Sequence, residues 1–116
     1  MKIKTEKNFL NQNDFDRLKS EVLRSAFYFT DNVSSKDAKD GYYFTHAIFE
    51  QSQILSRSIF QLITPILNKL KVKALHKTKI NLYPQTHKII EHGQHTDTDF
   101  KCKAFILALN TCDGFT

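Results

Sequence analysis

The apolar residues of this chain change their period once, and that change restricts the fold more than any other feature. Ile59, Leu62, Ile63, Ile66, Leu67 and Leu70 recur at i, i+3, i+4, i+7, i+8 and i+11, which lays one apolar stripe along a helix. From about residue 74 the period is two. Ala74, His76, Thr78, Ile80 and Leu82 then share one face of an extended strand, and Leu75, Lys77, Lys79, Asn81 and Tyr83 share the other. Helices followed by strands imply an α+β architecture rather than an alternating α/β one. With 116 residues, the chain is one small domain or part of one.

Around this switch the other elements are read from local signals. A first helix is expected over about residues 13–26, with Asn13 as N-cap, Asp14 and Asp16 in the first turn, and Phe15, Leu18, Val22 and Ala26 on its buried face. Residues 28–43 lose periodicity and collect Asp, Asn, Ser and Gly, which reads as a loop, with Tyr42, Tyr43, Phe44 and Phe49 half-buried. The second helix starts at Ser56 or Ser58, or as early as Gln51, and Pro65 inside it predicts a kink or a late start. Pro84 ends the strand that follows. A short extended piece is expected at Lys88 to Ile90, and residues 91–99 are polar, with Gly93 as a turn residue. A last strand at Lys103 to Asn110 is apolar enough to be buried on both faces. It is followed by Asp113-Gly114 and no downstream hairpin partner, so the sheet reads as cut short.

Charge and cysteine content narrow the class of partner. A net charge of +5 and a pI near 9.3 fit an acidic partner without requiring nucleic acid, because the surplus lysines are spread along the chain. One alternative is a binding module in which the basic residues 69–79 and Tyr42, Tyr43 and Phe44 contact nucleic acid, although no nucleic-acid motif supports it. Neither a signal peptide nor a membrane span is present, so the expectation is a cytoplasmic protein with no membrane partner. Cys102 and Cys112 are too few for a disulfide framework and are read as reduced, structural thiols.

The chemistry-bearing constellation is His95-Thr96-Asp97. On a strand, residues i and i+2 project from one face, so an imidazole and a carboxylate can take adjacent positions on one metal ion. That supplies two of the three ligands of a 2-His-1-carboxylate facial triad, which suits Fe(II) and leaves positions open for cosubstrate and oxygen. His92 reads as a neighbouring or solvent histidine, and His46 and His87 as surface or packing residues. A zinc site from His87, His92, His95 and Asp97 has acceptable ligand types but lacks the usual paired spacing.

The context of H-x-D is Lys79-Ile80-Asn81-Leu82-Tyr83-Pro84 before it and Phe105-Ile106-Leu107-Ala108-Leu109-Asn110 after it. This run resembles the Fe(II)- and 2-oxoglutarate-dependent oxygenases, in particular their prolyl-4-hydroxylase-like branch, found also in bacteria and phages. In that family a strand with an Asn-Tyr or Tyr-Pro element leads into H-x-D, and the next strand ends in a Leu-Asn turn. The resemblance implies a fold in which N-terminal helices, residues 8–73, pack on an incomplete double-stranded β-helix of the jelly-roll or cupin type, begun by residues 74–116. It implies His95 and Asp97 as iron ligands and Tyr83 as hydrogen-bond donor to 2-oxoglutarate, with Asn81 beside it. Ascorbate is a compatible accessory reductant, and the substrate is a protein, a peptide or a small molecule. The location implied is the cytoplasm, that of the host if the chain is phage-encoded. Tyr83 can alternatively be a core aromatic with its hydroxyl satisfied.

The family's second iron-binding His and its Arg or Lys for the distal carboxylate have no counterpart among the nineteen residues after Asp97. Lys101 and Lys103 come too early to fill that anchor. The chain is therefore read as the N-terminal part of an oxygenase. The alternative is a non-catalytic fragment whose open strand edges are completed by another chain, so that it acts in protein interaction.

Overall fold

A computed structural model of the chain describes residues 2–31, 41–91 and 98–112. The described residues form two helices and one four-stranded sheet, in the order α1 (Gln12–Leu23), β1 (Tyr28–Asp31), β2 (Tyr42–Glu50), β3 (Gln53–Ile54), α2 (Arg57–Lys69) and β4 (Thr78–Leu82). The class is α+β. By Cα proximity the chain divides into two units, Met1–Ala26 with Ala47–Ile80, and Phe27–His46 with Asn81–Thr116.

In the first unit α1 and α2 pack on each other. The cap of α1 lies two residues before the expected one. Asn11, not Asn13, holds extended backbone angles, and its Oδ1 accepts from the Asp14 backbone N–H at 2.8 Å, satisfying one of the donors that a helix start leaves open. The helix also stops early. The Arg24 N–H bonds back to Glu21 and Val22, and the Ser25 hydroxyl donates to the Glu21 carbonyl at 2.9 Å, so Ala26 lies outside the helix and exposed.

The α2 stripe matches its periodicity as far as Leu67, with Ile59, Ile63 and Ile66 buried and Leu62 and Leu67 half-buried, whereas Leu70, the C-cap, is exposed. The helix starts at Arg57 and runs through Pro65 to Lys69 without ending there. It closes in a Schellman motif, in which Val72 N–H bonds the Leu67 carbonyl at 3.0 Å and Lys71 N–H bonds the Asn68 carbonyl at 3.1 Å. The left-handed position of that motif is held by Lys71, at φ 55°, where glycine is the unstrained choice. Leu10, Leu18, Val22 and Ile48 complete the core of this unit.

Residues 28–43 are not one loop. Tyr28–Asp31 pairs antiparallel with Tyr42–Thr45, in the register Phe29 to Phe44 and Thr30 to Tyr43, because aromatic and β-branched residues on both arms fit a pleated ladder. The residues between, 32–40, lie outside the described residues. β2 continues past this pairing to a two-residue hairpin with β3, Glu50 opposite Gln53. Gln51 and Ser52 both have positive φ, 51° and 61°, which marks a type I′ turn made without the glycine or asparagine that favours it. β4 also pairs with β2, which leaves β2 in contact with every other strand. β4 begins at Thr78 rather than near residue 74, and Lys77 just before it pairs with Glu50 at 3.4 Å.

The later strands are a correction. Residues 88–90 and 103–110, the expected later strands, form no strand ladder, and Phe105 and Ile106 are 42% and 75% exposed, with only Leu107 and Leu109 half-buried. An apolar run becomes a strand only beside a second strand that takes its N–H and C=O groups, and none of the four strands of the described sheet is built from these residues. Cys102 and Cys112 are free but exposed, so they pack no core.

Two backbone positions and one cap give measurable consequences. Lys71→Gly and Ser52→Gly should each raise unfolding stability by about 0.5–1 kcal/mol by removing left-handed strain. Asn11→Ala should lower it by about 1 kcal/mol. Urea unfolding of the three variants reads both signs.

Candidate functional site

The second unit carries the residues singled out for chemistry. Its sheet portion has two distinct faces, since side chains alternate along β1 and β2. On one face Phe29 contacts Tyr42 and Phe44 at ring-centroid distances of 5.6 and 6.0 Å, and Phe27 meets His46 edge-on at 6.3 Å. On the other, Thr30 lies opposite Tyr43, and its hydroxyl approaches that of Thr45 at 3.4 Å.

Tyr83 docks on the second of these faces. It follows β4 directly, and its ring stacks on Tyr43 with centroids 5.3 Å apart and planes 10° from parallel. Tyr43 is only 7% exposed, whereas Tyr83 is 50% exposed. One ring is thus a fixed platform and the other is fixed by it, with half of its surface still open to a ligand. Tyr83 is not a core aromatic. Asn81, two residues earlier, is exposed near the end of β4. Strand alternation puts it on the Tyr83 side, so the expected pair shares a face.

His95 and Asp97, the expected iron ligands, lie outside the described residues, as does His92. Of the other histidines, His76 and His87 are exposed, and His46 is half-buried against Phe27. Among the described residues no three His, Cys, Asp or Glu side chains converge as a metal-holding group. The donor types of His95 and Asp97, imidazole nitrogen and carboxylate oxygen, suit Fe(II). In number they are one short of a facial triad.

Tyr43 is the residue that sequence reasoning undervalued. Its sequence context suggests a half-buried aromatic like Tyr42, Phe44 and Phe49, yet it is the single buried hydrophobic side chain among the described residues of its unit. The available signal was the alternation Tyr43, Thr45, Ala47, Phe49 along β2, which places these four on one face. Its contact with Tyr83 joins residues forty apart and has no local signature.

Comparison with known proteins gave no matching family model. No curated protein matches the chain, and no solved structure matches it.

The Tyr43 to Tyr83 stack separates a platform role from a hydroxyl role. Tyr43→Ala should cost about 3 kcal/mol, since it removes a buried ring and its stacking partner. Tyr83→Phe keeps the stack and should cost less than Tyr43→Ala. Denaturant unfolding of both variants checks the contrast.

Proposed function

We propose that this chain is the N-terminal part of an Fe(II)- and 2-oxoglutarate-dependent oxygenase of the prolyl-4-hydroxylase-like branch. The observation that carries the reading is the ordered run Asn81-Leu82-Tyr83-Pro84, His95-Thr96-Asp97 and Leu109-Asn110. The position of Tyr83 supports it, because a tyrosine leaving β4 is held by its ring while part of its surface stays accessible.

In this reading His95 and Asp97 hold the metal, and the Tyr83 hydroxyl donates to a carboxylate oxygen of 2-oxoglutarate, with Asn81 alongside. The bound iron and cosubstrate supply oxidative decarboxylation of the 2-oxo acid coupled to hydroxylation of a C–H bond. The chain's own contribution is orientation. Stacking on buried Tyr43 removes rotational freedom from the Tyr83 ring, so its hydroxyl needs little ordering when the ligand arrives. The third ligand and the basic anchor for the distal carboxylate come from a further segment or a second chain. The same added segment covers Phe105 and Ile106 and extends the sheet toward a double-stranded β-helix of the jelly-roll type. The substrate is a protein, a peptide or a small molecule, ascorbate serves as an accessory reductant, and the site of action is the cytoplasm.

A second reading is favoured by one observation, the exposure of the apolar side chains Ile89, Phe100 and Ile106 among the described residues. In it the chain has no turnover and acts by adding its open edge to another protein.

Anaerobic Fe(II) titration in the presence of 2-oxoglutarate decides between the two. The oxygenase reading expects a weak visible charge-transfer band that His95→Ala abolishes. Tyr83→Phe should weaken 2-oxoglutarate binding about tenfold, the cost of one hydrogen bond to a charged group, while leaving the fold intact. A folded chain that gives no band under these conditions has no complete site of its own, and light scattering then decides: a defined oligomer supports the second reading, and a monomer supports an oxygenase site that needs its third ligand from elsewhere.

A further inference from the structure

Two lysine-rich stretches, 60 residues apart in sequence, meet at the C-terminal end of α2. Lys69 Nζ donates to the Phe9 carbonyl oxygen at 2.6 Å, lies 3.6 Å from Glu6 Oε2 and sits 4.2 Å above the Phe9 ring. This three-part contact ties residues 6–9 to the last turn of the helix. Lys7 adjoins that anchored segment, and Lys4 and Lys2 are two and four residues from Glu6, within about 14 Å of extended chain. On the helix side, Lys71 sits in the Schellman turn and Lys73 follows it.

The resulting surface is strongly one-signed. Residues 2–9 and 68–73 hold six lysines and one acidic residue, Glu6, so they carry +5 between them. Among the described residues no carboxylate forms an ion pair with Lys2, Lys4, Lys7, Lys71 or Lys73. The positive end also lies where the helix exposes its last carbonyl groups, an arrangement that tolerates concentrated cations.

What stands between the lysines identifies the partner. Ile3 is 82% exposed, and Leu70 and Val72 are exposed as well. The phenylalanines of this unit, Phe9, Phe15, Phe49 and Phe60, are half-buried, and neither stretch contains arginine. A nucleic-acid surface gains from stacking rings and arginine forks. Lysines interleaved with exposed aliphatic side chains suit instead the boundary layer of an anionic bilayer, where each cation meets headgroup charge and each aliphatic group enters the acyl edge. We propose that this end of the first unit docks the protein on an anionic lipid surface. The docking needs no membrane-spanning helix, and it does not depend on the iron reading.

Sedimentation of the full chain with vesicles tests the proposal. Vesicles of equal parts phosphatidylglycerol and phosphatidylcholine should bind it, and phosphatidylcholine alone should bind at least about tenfold more weakly. The triple variant Lys4→Glu, Lys7→Glu, Lys73→Glu leaves Lys69 and the Lys71 turn in place and should weaken binding at least about tenfold. Raising the salt concentration on the unmodified chain should release it from the anionic vesicles, a readout independent of how the variant folds. Ile3→Ser with Val72→Ser should weaken vesicle binding severalfold. No binding to the anionic vesicles, or binding that ignores salt, overturns the proposal. Binding to a DNA duplex that is tighter than to vesicles, and unchanged by Ile3→Ser with Val72→Ser, overturns it in favour of nucleic acid.

Discussion

The sheet depends on one strand. β2 pairs with β1 through residues 42–45, with β3 through Phe49 and Glu50, and with β4, so every other strand reaches the sheet through it. Its sequence suits that load. Tyr43, Phe44, Thr45, Ile48 and Phe49 are aromatic or β-branched, so both pleated faces can pack, and Ile48 and Tyr43 are buried. The two neighbours fixed by β2 then do different things. The tight turn to β3 returns the chain toward α2, where Phe49 stacks on Phe60 with centroids 5.9 Å apart. Buried Tyr43 fixes Tyr83 after β4.

What could be read from the sequence follows the range of the forces involved. α2 was legible because a helix satisfies its hydrogen bonds within its own segment, and six aliphatic residues on one stripe can face only one way. α1 was legible but displaced, since Asn11 and Asn13 are both acceptable caps and only the bond to the Asp14 N–H chooses between them. β1 and β2 were hidden by the polar residues between them, although Tyr28-Phe29-Thr30 and the 42–49 run carry strand-forming side chains on both arms. The last apolar run was read too strongly for the opposite reason. Its composition gives a tendency to extend, and only a neighbouring strand turns that tendency into a ladder.

The candidate site shows the same division. Period-two alternation puts Asn81 and Tyr83 on one face, their candidacy comes from the resemblance alone, and the structure keeps both near the end of β4. Tyr43, which gives Tyr83 its fixed ring, is forty residues away and reaches it only through strand pairing. Sequence spacing can place two groups on one face of one strand. It cannot supply the residue from another strand that holds one of them still.

The two units therefore rest on different supports. In the first, Leu10, Leu18, Val22, Ile48, Ile59, Ile63 and Ile66 are buried, so two packed helices share one core with Ile48 of β2. In the second, Tyr43 is the one buried hydrophobic side chain among the described residues, while Ile89, Phe100 and Ile106 are exposed. Those exposed side chains are apolar surface that a further element can cover. Under the proposed function this makes metal binding and sheet completion a single linked equilibrium. A segment that supplies the third ligand also supplies apolar cover, and each raises the other's apparent affinity by the same factor.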